Sequence, residues 1–213
     1  MDTRTLSPLD RVIGEIDKAI KVLASPARAE RQIPQAAGDA PPLDPAAARK
    51  SGRLMRVNHA GEVAAQALYQ GQALTARDPQ VAAAMQKSAA EEIDHLAWCE
   101  QRLTELGSRT SVLNPLWYAG SFAIGALAGA LGDRASLGFI TETERQVESH
   151  LRDHLERLPQ ADLRSRVILE KMTHDEIAHG AKAESLGGIP LPLPLRAAMR
   201  LTSRLMTRGS YWL

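Results

Sequence analysis

The stretch AAEEIDHLAWCE, residues 89–100, decides how the chain is read. On a helix, residues three and four apart face the same way, so Met85, Ser88, Glu92, His95, Cys99 and Leu103 share one stripe. That stripe is built for a core, yet it holds a carboxylate and an imidazole one turn apart. An unpaired carboxylate in a core is costly: it takes up a proton or finds a cation.

Working outward, the same anomaly recurs. Leu137, Ile140, Glu144, Val147, Leu151 and Leu158 form an apolar stripe with Glu144 inside it, while Glu142 and Glu148 point elsewhere. Leu169, Met172, Glu176, His179, Ala183 and Leu186 form another, again with Glu and His at i and i+3. Earlier, Met55, His59, Glu62, Gln66 and Tyr69 share a face whose only carboxylate is Glu62. A single Glu-x-x-His is usually a solvated pair. Random placement of the chain's 14 Glu and 6 His gives roughly 0.4 such pairs, against the two present. Pair counting is therefore only suggestive, and the stripe positions decide. No Lys or Arg shares a stripe with these four Glu residues to form a salt bridge.

Order and spacing narrow the chemistry. Glu62 lies 30 residues before Glu92, and Glu144 lies 32 before Glu176. Two helical hairpins, each giving one lone Glu and one Glu-x-x-His, make the ligand set of a dinuclear carboxylate site in a four-helix bundle. Four carboxylates balance two divalent ions, and two neutral imidazoles complete the shells. Mixed oxygen and nitrogen donors with open positions favour iron over manganese or zinc, two ions per chain.

The rest of the chain fits an all-α fold. Its 213 residues suffice for a real core, and a net charge of +1 gives no reason to expect nucleic acid as a partner. Cys99, the one cysteine, has no partner for an internal disulfide. The opening MDTRTLSPLD lacks the basic-then-apolar start of a signal peptide. Ser7 and Pro8 start an amphipathic helix carrying Leu6, Leu9, Ile13, Ile16, Ile20 and Leu23. The Pro/Ala-rich SPARAERQIPQAAGDAPPLDP follows, with almost no core residues. Residues 1–45 are thus expected to form an N-terminal helix and linker, and 46–213 the bundle domain. Helices are expected over about 44–77, 79–106, 133–158, 160–186 and 195–208, with no alternating strand pattern.

Four separated stretches carry a family resemblance: RVNHAGEVAAQALYQGQ, EEIDHLAWCEQRL, TETERQVESHLRDHLERLP and EKMTHDEIAHGAKAESLG. In this order they resemble the bacterial demethoxyubiquinone hydroxylases, ferritin-like di-iron monooxygenases of ubiquinone biosynthesis. The likeness runs from about Arg53 to the C-terminus. It implies that Glu62, Glu92, His95, Glu144, Glu176 and His179 bind iron. It also implies O₂-dependent ring hydroxylation of a demethoxylated polyprenyl quinol, one oxygen atom leaving as water. His150 matches a His near the iron in the family and is the candidate catalytic residue; otherwise it and His154 read as polar-edge histidines. Eukaryotic relatives tend to carry Tyr where this chain has Leu151. His59, one turn before Glu62, is placed to support a ligand from behind, and His174 reads as a surface residue.

Residues 110–132, TSVLNPLWYAGSFAIGALAGALG, carry no charge. Their length suits a membrane span, but the ligands before and after them must meet at one metal pair, so both flanks stay in one compartment. The segment therefore reads as the connection between the hairpins, an apolar helix that lies on or dips into one leaflet, with a buried crossover helix as the alternative. Arg196, Arg200, Arg204 and Arg208, spaced four apart among apolar residues, with Tyr211 and Trp212 for a headgroup boundary, suit the last helix to a second contact with lipid, a protein-docking helix being the alternative. The expected place is the cytoplasmic face of the cell membrane, held peripherally, with accessory lipid-binding or quinone-biosynthesis proteins and a homo-oligomer as further partners. Competing functions are ferritin-like iron storage or peroxide scavenging, a di-iron quinol oxidase, an RNA hydroxylase, and a metal-free helical interaction module. The uncharged 110–132 run would be a liability on a soluble storage cage.

Overall fold

A computed structural model describes residues 7–38 and 42–213, without the side chains of Pro8, Arg11 and Val12. The opening MDTRTL, with Leu6 and the signal-peptide expectation, lies outside the described residues. Among those residues all regular structure is helical: α1 (Pro8–Ala24), α2 (Pro45–Thr75), α3 (Pro79–Glu105), α4 (Asn114–Ala130), α5 (Asp133–Arg157), α6 (Leu163–Ser185) and α7 (Leu193–Trp212).

Local chemistry sets the boundaries. A capping box between Ser7 and Asp10 starts α1. Asp44 accepts from the amides of Ala46 and Ala47 and Asp78 from that of Gln80, each ahead of a proline that begins the helix. The helix expected from Gln160 begins instead at Leu163. Asp162 is its cap, accepting from Ser165 N (3.0 Å) and from buried Arg102 Nη2 (2.8 Å). The last helix is longer than the expected 195–208 at both ends. Pro194 sits in the first turn, where its missing N–H costs nothing. At the far end Trp117 Nε1 donates to the buried Ser210 hydroxyl (3.0 Å), and Val112 N donates to the carbonyl of Leu213 (3.2 Å).

Hairpins α2–α3 and α5–α6 pack against each other as a four-helix bundle. Apolar residues fill its two ends. At one, Leu54, Met55, Trp98, Leu103, Leu151 and Met172 cluster; at the other, Tyr69, Val81, Met85, Leu137, Ile140 and Ala183. Glu62, Glu92, His95, Glu144, Glu176 and His179 fall between these clusters on every helix, a buried polar layer between two apolar ones. Fully burying each large apolar side chain contributes about 1.5–3 kcal/mol, which offsets the cost of that layer.

The uncharged 110–132 segment contains α4, which crosses between the hairpins and lies along α2. Its glycines explain themselves there. A Cβ on Gly125 would stand 2.2 Å from Leu68 O, and one on Gly71 would stand 2.3 Å from Phe122 O. The two backbones touch where no side chain fits. On the opposite side Leu116, Ile124, Leu127 and Leu131 are exposed. No described helix is long and apolar enough to cross a membrane.

Gly125→Ala should force α4 off α2 and cost about 1–3 kcal/mol, read as a lower thermal midpoint. Gly120→Ala on the same helix, where a Cβ meets nothing within 4 Å, should be neutral or slightly stabilising. Equal destabilisation by both would contradict the close-approach account.

Candidate metal centre

Two overlapping clusters occupy the polar layer. Glu62, Glu92, His95 and Glu176 form one, and Glu92, Glu144, Glu176 and His179 the other; within each, one donor atom per residue lies within 4.8 Å of all the rest. All six expected ligand positions meet there, and Glu92 and Glu176 belong to both groups.

Atom-level distances show how the sharing works. His95 Nδ1 lies 3.1 Å from Glu92 Oε2 and 3.4 Å from Glu176 Oε1. His179 Nδ1 lies 3.0 Å from Glu92 Oε1 and 3.4 Å from Glu176 Oε2. Each of these two carboxylates thus turns one oxygen to each half, the posture of a bridging ligand. Glu62 closes the His95 half (Oε2 to Nδ1, 3.6 Å). Glu144 belongs to the other half, held by the Tyr69 hydroxyl, which donates to its Oε1.

The outward nitrogens are also occupied, and crosswise. His95 Nε2 on α3 lies 3.0 Å from Asp175 Oδ2 on α6, and His179 Nε2 on α6 lies 2.7 Å from Glu91 Oε2 on α3. The residue just before each Glu-x-x-His glutamate therefore orients the histidine of the other hairpin. Such partners fix which nitrogen faces the centre, here Nδ1, and raise its basicity. Sequence reasoning missed Glu91, Asp175 and Tyr69. The signal was present: an acid precedes both Glu-x-x-His motifs, and Tyr69 lies two turns beyond Glu62 on the same stripe.

Does this donor set fit two cations? Glu62 Oε2 and Glu92 Oε1 are buried without an aligned hydrogen-bond donor, although His179 Nδ1 stands 3.0 Å from the latter. Burial pushes the Glu62 and Glu144 carboxyls well above the usual range, and neighbouring carboxylates add to it. Burial disfavours charge on His95 too, but Glu92 and the surrounding acids outweigh it and hold the imidazole's pKa well above normal. His179, by the same opposition, is pushed up to about 12. Glu92 departs from this pattern: burial opposes its charge, but the His95 and His179 imidazoles hold its carboxyl well below the usual range, so charge within the layer is balanced by protons on the imidazoles as well as on Glu62 and Glu144. The oxygen and nitrogen donors, their orphaned atoms and their charge all suit two divalent ions.

Other expected positions separate cleanly. Glu142 is off the centre but buried, and it binds Gln146 Nε2 (2.6 Å), Arg145 Nη2 (2.6 Å) and Arg196 Nε (3.0 Å). Arg196 is therefore tied inward, unlike exposed Arg200, Arg204 and Arg208. His59 does not support a ligand; its ring lies 3.4 Å from Glu100 Oε1 and 3.3 Å from Asn114 Nδ2. Tyr211 packs on the core with Arg53 and Arg157 over its ring, while Trp212 is exposed. His174 is exposed, as expected.

His150 and His154 are not a polar edge. Their rings lie 3.9 Å apart, His154 is buried, and its Nδ1 donates to Asn58 Oδ1 (2.8 Å). Burial pushes His150 down to about 4. Its ring lines a cavity of about 300 Å³ together with Asn58, Glu62, Phe139 and the α7 residues Met199 and Met206. The cavity walls are mostly apolar, and Glu62 is where it meets the metal centre.

Residues 49–210 match the model of the ubiquinone biosynthesis protein COQ7 family. The chain belongs to this family. It is 56% identical over 211 residues to a protein of Bordetella pertussis, covering 99% of this chain and 95% of that one, and 58% identical over 205 residues to one of Cupriavidus necator, covering 95% and 99%. Both relatives bear the name 3-demethoxyubiquinol 3-hydroxylase. The family match begins after α1 and the linker, so it leaves residues 1–48 outside.

Metal binding should release protons, since the pKa values of Glu62, Glu144, His95 and His179 are all raised within the layer. The sign follows: affinity for a divalent ion rises with pH, about tenfold per pH unit for each proton released. At least two protons should leave at pH 7, measurable by calorimetric metal titration in buffers of different ionisation enthalpy. Binding that releases none, or that tightens as pH falls, would contradict this account.

Proposed function

We propose that this COQ7-family chain is a di-iron monooxygenase that hydroxylates the ring of a demethoxyubiquinol with O₂. The observation that carries the proposal is the apolar cavity ending on Glu62. It joins a prenylated ring's chemistry to the dinuclear ligand set, which a storage or purely structural bundle does not need. Glu62, Glu92, His95, Glu144, Glu176 and His179 would hold two irons, with Glu92 and Glu176 shared. When bound, that pair supplies the two-electron chemistry with O₂ that places one oxygen atom on the ring.

The chain's own residues do the rest. Phe139 and Met199 give the quinol ring an apolar wall and exclude water. His150, neutral at pH 7, presents an unprotonated ring nitrogen that accepts a hydrogen bond from a quinol hydroxyl and so orients the ring. His154, fixed by Asn58, braces the His150 ring. The prenyl tail leaves between α4 and α7, whose Ile124, Leu195 and Met206 line the cavity. Exposed Leu116, Leu127, Leu131, Leu201 and Leu205, beside exposed Arg200, Arg204 and Arg208, suit that opening to the surface of an anionic bilayer.

Reduced enzyme supplied with ¹⁸O₂ and a short-chain demethoxyquinol should yield hydroxylated product with label on the ring. Label from water would overturn the monooxygenase reading. Quinol consumption without hydroxylated product would favour a quinol oxidase.

A further inference from the structure

The two halves of the centre are alike inside and unlike outside. Glu91, behind His179, is half-buried, and among the described residues the only Lys or Arg paired with its carboxylate is the exposed Lys87, at 3.7 Å. Asp175, behind His95, is enclosed. Lys171 Nζ donates to its Oδ1, and Arg31 Nη1 donates to Oδ2 (2.9 Å), the same oxygen that faces His95 Nε2.

Arg31 comes from the linker after α1, outside the span of the family match. The linker stretch is seated along α3 by specific bonds. Ala27 N donates to Glu100 Oε2 (3.0 Å), Glu30 N to Asp94 Oδ1 (2.7 Å), and Trp98 Nε1 to the carbonyl of Arg31 (3.4 Å). The Arg31 guanidinium lies 5.0 Å over the Trp98 ring, its Nε donates to Asp94 Oδ2, and Nη2 reaches the carbonyl of Glu91 (3.4 Å). One planar fork thus joins Asp94 on α3 to Asp175 on α6, a geometry a lysine cannot reproduce.

We propose that Arg31 is a positioning residue for the His95 half, so that seating of the N-terminal linker and metal occupancy of that half are coupled. The inference rests on the dinuclear ligand assignment above. An oriented Asp175 holds the His95 ring with Nδ1 inward; loss of the fork frees Asp175 to turn to Lys171 or to solvent. Coupling between two binding events is reciprocal. A metal ion that fixes His95 fixes Asp175, and through it the linker.

The test uses the full chain and Co(II) under anaerobic conditions, with absorption and calorimetric titration. Arg31→Gln should weaken one of the two bound equivalents about 10–100-fold, the range for lost partners of ligand histidines, and leave the other unchanged. Arg28→Gln, which removes an exposed charge from the same linker, should titrate like wild type. Arg31→Lys should fall between. The reciprocal readout needs no variant: Co(II) should slow trypsin cleavage of the native chain at Arg28. Equal weakening of both equivalents, no weakening, or cleavage at Arg28 indifferent to Co(II) would each overturn the proposal. A wild-type chain that takes up no Co(II) would instead overturn the ligand assignment on which it rests.

Discussion

Burying four carboxylates at one level of a helical bundle is the constraint on which the rest of the structure depends. Like charges at such distances in a weakly polar interior repel strongly, and desolvation alone disfavours each ion. The layer persists because its neighbours are arranged to hold positive charge within it. Imidazoles on two helices turn Nδ1 inward, acids behind them hold Nε2, and Tyr69 steadies Glu144. Apolar clusters above and below keep water out and keep the four helices in register. Breaking a buried pair is costly because it strands the remaining charge, so the layer constrains which packings of the helices are tolerated.

Around that layer the fold supplies access. α4 lies so close to α2 that Gly125 and Gly71 leave no room for side chains. This leaves the outer face of α4 uncharged and exposed beside α7. Glu142 draws Arg196 inward and so fixes α7 over the cavity, while the other arginines of that helix remain at the surface. Apolar exterior, cavity and metal layer therefore follow one line from the exposed faces of α4 and α7 to Glu62. A quinol with a long apolar tail is the kind of molecule this line suits.

Much of this was legible in the sequence because helical periodicity is a strong signal. Glu92, His95, Glu144, Glu176 and His179 each interrupt an otherwise apolar stripe, and the repeated order of motifs implied two hairpins. Glu62 was harder, since its helix is buried on more than one side and its stripe is less clean. What stayed hidden depends on contacts between elements distant in the chain. Arg31 meets Asp175 across 144 residues, and nothing in a Pro/Ala-rich linker marks one arginine for that partner. The crosswise pairing of Glu91 with His179 likewise exists only once the hairpins pack. His59 misled for the converse reason: its sequence position suited a partner of Glu62, but the packing turns its ring to Glu100 and Asn114. The polar-edge alternative for His150 and His154 fails for the same reason: His154 turns inward to Asn58, and His150 lines the cavity shared with α7.

Under the proposed ligand assignment two cations would be held side by side, with Glu92 and Glu176 shared between them. Anomalous scattering from iron-loaded crystals tests it most directly. The account predicts two peaks per chain, one beside His95 Nδ1 and one beside His179 Nδ1, each within bonding distance of an oxygen from both shared glutamates. A single peak, or peaks bound at Glu142, Glu148 or the surface instead, would contradict it.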